Sequence, residues 1–306
     1  MKNVLMSRRG LLAGAACALA APRLGFAFVA APKRIVAIGA PITEIMFGLG
    51  CDDRIVAVDQ TSRFPRAARR KGDAGYPDDL SVEKLLAHAP DLVVTGEGAA
   101  PSETIEALTA ASVRVVSLKN VRRREDISDR IRLAGAAAGV ADRGAALADA
   151  VRDDLASVAR EVGRVASKRR ALMLMGLGSA HPLIVGGAGT PAALALDLAG
   201  TVNAAGHIGG WRAIKNDRVA ELEPDAIVAL SIGAPLLAAD VSAHPALKDT
   251  PAARDNRVAV VDGLAFTGFG PRAAHMIAAV ARAIYPEAAI PALPTRGWVE
   301  DDVASL

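Results

Sequence analysis

The chain has 306 residues, 52% of them hydrophobic and 3% aromatic, with a formal net charge of +3. That is enough apolar sequence for one large core or two medium ones. Lys2, Arg8, Arg9 and Arg23 fall in the first 27 residues, which hold no acid; without those four, the 36 basic side chains become 32 against 33 acids. The charge therefore gives no reason to expect a nucleic-acid partner.

Residues 1–31 read as an export signal. A basic start, the apolar run LLAGAACALAA and small residues at Ala27 and Ala31 supply the three parts of such a segment, with cleavage after either alanine. The run is too short and too rich in alanine for a stable membrane span. Ser7-Arg8-Arg9-Gly10-Leu11-Leu12 resembles the twin-arginine variant, and an ordinary secretory signal is the alternative. Gly14 stands where a lipoprotein signal would need a branched apolar residue before Cys17. Beyond the signal only Cys51 remains, which excludes an intramolecular disulfide even in an oxidising compartment. The mature chain is expected to be exported and soluble.

Strands and helices then alternate. RIVAIG (34–39) predicts a buried strand, TEIMFGLG (43–50) a short helix ended by glycine, and RIVAVD (54–59) a second strand. SVEKLLAHA (81–89) predicts a helix with a serine cap and an early acid, followed by strand PDLVVTG (90–96). A helix over 101–111, strand VRVVSL (113–118) and a helix over 125–139 complete an α/β lobe spanning 32–142 with a mainly parallel sheet. Residues 143–168 break the alternation. Leu147, Val151, Leu155, Val158 and Val162 form one apolar stripe on a single long helix. Alternation resumes with strand 171–176, helix 190–199, strands DAIVAL (225–230) and RVAVVD (257–262), and a helix over 272–284. The expectation is two Rossmann-like lobes, the second at 169–285, joined by one helix, with a proline-rich tail at 286–306 loosely attached.

The two lobes echo each other. In SVEKLLAHAPDLVV, Glu83 lies seven residues before Pro90-Asp91; in KNDRVAELEPDAIV, Asp217 lies seven residues before Pro224-Asp225. RIVAVD and RVAVVD form a second matched pair. Tyr76, one of two tyrosines, sits in GDAGYPDDLSVEKL between a glycine and a proline, where core packing hardly needs a phenol. Residue chemistry alone leaves it open between a ligand and a turn residue packed on a neighbour.

This layout resembles the periplasmic substrate-binding proteins of the helix-spine type (class III), which serve ABC transporters for haem, ferric siderophores and cobalamin. The resemblance covers about residues 33–285. It is most similar to haem-binding members in RIVAIGAPITEIMFGLGCDDRIVAVDQTSRFP, GYPDDLSVEKLLAHAPDLVV, GGAGTPAALALDLAGTVNAA and HPALKDTPAARDNRVAVVDGLAFTGFGPR. The resemblance implies haem b as transported ligand rather than catalytic cofactor, bound between the lobes of a periplasmic monomer. It implies Tyr76 as ligand to the haem iron, with His181 as a second candidate. Arg272 in Gly-Phe-Gly-Pro-Arg is implied to face a propionate, with Trp211, His207 and Arg63 lining the pocket. The resembling family carries arginine two residues after the tyrosine, where this chain has Asp78. An acid there raises a phenol pKa where a cation lowers it, so either Arg63, Arg66 or Arg69 compensates or the binding chemistry differs. Glu83 and Asp217 are implied to dock on a dimeric inner-membrane permease with its ATPase. A rigid helix joining the lobes implies only small hinge closure.

The competing classes are a siderophore or cobalamin binder on the same fold and, more distantly, an exported α/β enzyme. MGLGSAH starts like a dinucleotide fingerprint, but His181 occupies the place of its third glycine. No Gly-x-Ser-x-Gly, His-Glu-x-x-His or Cys-x-x-Cys occurs, and no enzymatic activity is expected.

Overall fold

A computed structural model describes residues 31–175, 177, 182–232 and 235–299. Residues 1–30 of the export signal and His181 lie outside the described residues. In the first lobe, β1 (Ile35–Ile38), α1 (Ala40–Gly48), β2 (Ile55–Val58), β3 (Gly72–Asp73), α2 (Val82–Ala87), β4 (Leu92–Gly96), α3 (Ser102–Ala110), β5 (Arg114–Leu118) and α4 (Arg124–Ala137) follow one another. The strands form a parallel sheet in the order β3-β2-β1-β4-β5. Every residue of β1 is buried, as expected for a strand covered by helices on both faces. The order reverses between β1 and β4, and open α/β sheets bind their ligands outside the carboxyl ends of strands at such a point.

The connecting helix α5 runs Ala141–Val162, not 143–168. It ends six residues early because Gly163 caps it, donating to the Ala159 carbonyl at 3.0 Å. At 22 residues it is about 33 Å long. All five stripe residues are buried. Helices α4 and α5 cross at Gly135 and Gly144, where a side chain on Gly135 would lie 2.6 Å from the Gly144 Cα. That approach is open only to glycine.

The second lobe contains β6 (Arg170–Met175), β7 (Leu183–Gly186), α6 (Pro191–Leu198), β8 (Val202–Asn203), β9 (Trp211–Ile214), α7 (Asn216–Ala220), β10 (Ala226–Ser231), α8 (Ala238–Ala243), α9 (Pro251–Arg254), β11 (Val258–Asp262), α10 (Gly263–Gly268) and α11 (Ala273–Ile284). Its sheet is mixed, in the order β11-β10-β6-β7-β9 with β8 beside β6. β6, β10 and β11 are parallel, whereas β7 pairs antiparallel with β6 and β9. One apolar core runs from β1 and α1 through α4 and α5 to α11, so the lobes share packing at their base.

The tail is not loosely attached. Asp154 is buried in α5, and Arg296 supplies its partner through two hydrogen bonds of 2.8 and 3.1 Å. A buried carboxylate without such a cation would be costly. Ile290 is buried as well, and His275 meets the Pro294 carbonyl at 3.0 Å.

Candidate functional site

At the carboxyl end of β2, Asp59 is buried and organises the loop that follows. Its Oδ1 accepts from the Gly39 N–H at 2.7 Å and the Ser62 hydroxyl at 2.5 Å, and its Oδ2 from the Thr61 N–H at 3.0 Å. Ser62 also bonds Thr43 of α1 at 2.7 Å. The same loop pins the tyrosine segment: the Gln60 N–H donates to the Gly75 carbonyl at 2.9 Å. Asp73 holds that segment from its other side. Its Oδ1 accepts from the Gly75 N–H at 2.8 Å, and its Oδ2 from the Lys84 ammonium at 2.8 Å and the Gln60 amide at 3.3 Å. The Lys84 bond, then the Gly75 bond, keeps the Asp73 carboxyl below its ordinary value.

Tyr76 follows at the bend. Gly75 sits at φ +103°, a conformation that side-chain-bearing residues rarely adopt, and Asp79 closes a turn onto the Tyr76 carbonyl at 2.9 Å. The backbone is fixed on both sides, yet Tyr76 remains 52% exposed. It is a phenol presented to solvent just after the edge strand β3. Asp78 is exposed.

Arg63 is exposed, and its carbonyl accepts from the Arg69 guanidinium at 3.0 Å. With Asp59, Gln60, Lys71 and Asp73 these two arginines line a depression of about 490 Å³ against the tyrosine segment. Arg63, Arg66, Arg69 and Arg70 make no ion pair with a carboxylate among the described residues. The depression thus joins Arg63 and Arg69 to Asp73, the residue that holds the Gly75 N–H beside Tyr76.

Arg272 does not join them as expected. It is buried, and its guanidinium holds both oxygens of Glu44, Nη2–Oε1 at 2.7 Å and Nε–Oε2 at 3.2 Å. Its charge is already met by a carboxylate of the other lobe, so an open propionate-facing arginine is replaced by an interlobe pair. Trp211 begins β9, half-buried, with its ring against Gly186 of β7. His207 is exposed in the turn just before that strand. Glu83 opens α2, exposed, with its carboxylate held below the ordinary value by its own N–H and by the Ser81 hydroxyl at 2.8 Å. Asp217 opens α7 and is likewise exposed.

Three residues escaped sequence reading. Asp59 and Asp262 close the matched segments RIVAVD and RVAVVD; Asp262 caps α10, and Asp59 holds the Gly39 N–H just before α1 and its own loop. Glu44 carried a signal of its own: a single acid within the apolar run ITEIMFGLG is expected to need a buried cation.

The family model of the periplasmic binding proteins matches residues 35–264. The structure is similar to a periplasmic heme-binding protein from Pseudomonas aeruginosa, at 30% identity and a TM-score of 0.75 over 86% of this chain and 96% of that one. It is also 24% identical over 258 residues to an ABC transporter substrate-binding lipoprotein, YvrC, of Bacillus subtilis, covering 84% of this chain and 81% of YvrC. A vitamin B12-binding protein of Yersinia pestis is 27% identical over 85 residues, a match that spans 28% of this chain and 30% of that protein.

Proposed function

The chain belongs to the periplasmic binding protein family and is the substrate-binding component of an ABC transporter, working with a membrane permease and its ATPase; from that premise we propose that its cargo is haem. Ferric iron is a hard cation and phenolate a hard anionic ligand, and tyrosine is an established axial ligand of haem. The observation that carries the reading is Tyr76: an exposed phenol on a segment pinned through Gly75 and Asp73. Coordination to the iron favours the phenolate directly. The guanidinium surplus at Arg63, Arg66 and Arg69 offsets the acid at Asp78. Because Arg272 is engaged by Glu44, the propionate role passes to Arg63, for which a planar guanidinium suits a carboxylate. Trp211 and His207 are the second lobe's contribution to the pocket. The chain reaches the periplasm on its export signal and acts there as a monomer that binds and releases haem without catalysis.

Similarity to the B12-binding protein favours one second reading, a corrinoid cargo on the same fold. Direct titration separates the two. Mature protein is expected to take up hemin stoichiometrically, at least about a hundredfold more tightly than cyanocobalamin or a ferric siderophore, a difference of about 2.7 kcal/mol. Tighter binding of either competitor refutes haem as cargo.

A further inference from the structure

Arg272 and Glu44 are each 4% exposed, and their two hydrogen bonds join residues 228 positions apart. The guanidinium also lies 3.6 Å from the centre of the Phe64 ring, a stacking that a planar cation makes well. Asp262, at the end of β11, stands 3.7 Å from the Arg272 Nη2 that bonds Glu44. The surrounding backbone is shaped for this pair. A side chain on Gly270 would lie 2.8 Å from Glu44 Oε2, and Phe269 adopts φ +54°. Arg130 of α4 donates to the carbonyls of Gly268 and Phe269. The Gly-Phe-Gly-Pro-Arg segment of the second lobe is therefore seated on α1 and α4 of the first.

Phe64 connects this joint to the rim. It lies two residues after Ser62, which is bonded to Asp59 and to Thr43, and Gln60 of the same loop holds Gly75. Adjacent α1 residues thus grip one loop twice, Thr43 through Ser62 and Glu44 through Arg272 and Phe64. We propose that Glu44 is a positioning residue of the cargo site, fixing through Arg272 and Phe64 the loop that holds the Tyr76 segment. Any rotation of the lobes must carry the rim loop with it or break a buried pair. The site is then assembled before cargo arrives.

The placement of the loop does not depend on which cargo binds, so hydrogen exchange of cargo-free protein tests it apart from the haem reading. In Glu44→Gln, amides of 60–76 and of 268–272 are expected to exchange about tenfold faster while those of β1 keep wild-type rates. Phe64→Leu leaves the ion pair in place and is expected to loosen 60–76 alone. Phe64→Tyr keeps the ring face and is expected to restore wild-type protection. A second arm rests on the proposed function: the hemin complex of Phe64→Leu is expected to lose the single sharp ligand spectrum of the wild type for a mixture. Unchanged exchange over 60–76 in Phe64→Leu overturns the proposal, as does an even rise across the whole chain in Glu44→Gln. If Glu44→Gln does not fold, Phe64→Leu alone decides.

Discussion

Asp73 gathers the Gly75 N–H, the Lys84 ammonium and the Gln60 amide around one partly exposed carboxylate. Its folded pKa lies below the ordinary aspartate value of 3.8. A depressed carboxyl stabilises the fold above the unfolded pKa, and that contribution is lost as pH falls through the folded value. The clasp is thus complete at neutral pH and opens only in acid. Carboxyl-carbon NMR is expected to place the Asp73 midpoint below 3.8 in the wild type and to move it upward in Lys84→Met. A wild-type midpoint at or above 3.8 removes Asp73 as the anchor. Solvent screening of this half-exposed pair keeps its share of global stability small, so its effect is local to the tyrosine segment.

The helix–Pro-Asp–strand unit occurs twice, and the structure repeats its main contacts. Asp91 accepts the N–H groups of Lys33 and Arg34 at the start of β1, and Asp225 accepts that of Arg170 at the start of β6. Arg34 and Arg170 in turn cap the ends of α2 and α7, through the carbonyls of His88 and Ala89 and of Leu222. Ala89 and Glu223, each just before the proline, share the left-handed conformation at φ +44° and +42°. These buried strands and stripe-bearing helices were legible because apolar period and capping residues are local signals. β3, β8 and the antiparallel pair β7 and β9 were not: β3 and β8 are two residues long, and β7 and β9 are placed by their ladder partners rather than by their own pattern. The matched units present Glu83 and Asp217 at equivalent helix starts, and two like charges suit a twofold-symmetric permease. Helix capping alone is the alternative role, and Ser81 already engages Glu83. Reversing both to lysine is expected to leave hemin binding within about twofold of wild type and to abolish permease-dependent uptake. Normal transport by the double variant assigns the acids to capping and the docking surface to other residues.

At the scale of the molecule, two sheets share one core at their base, and the rims above it carry different equipment. The first lobe supplies Tyr76 and the guanidinium run, both visible in the sequence as a phenol and a basic cluster with no packing role. What the sequence could not place was Arg272, because its partner comes from α1 and only folding brings the two together. The tail was misjudged for the same reason, its attachment resting on distant partners such as Asp154 for Arg296 and His275 for Pro294. The lobes are joined at their base by the shared core and the Arg272–Glu44 pair, and Tyr76 stands exposed on the first of them. The visible and electron-paramagnetic spectra of the hemin complex, compared between wild type and Tyr76→Phe, test this most directly. The wild type is expected to show high-spin ferric haem with a tyrosinate charge-transfer band, and Tyr76→Phe, which keeps the ring and removes only the oxygen, to lose that band and bind at least about tenfold more weakly. Identical spectra for the two proteins would contradict Tyr76 as the iron ligand.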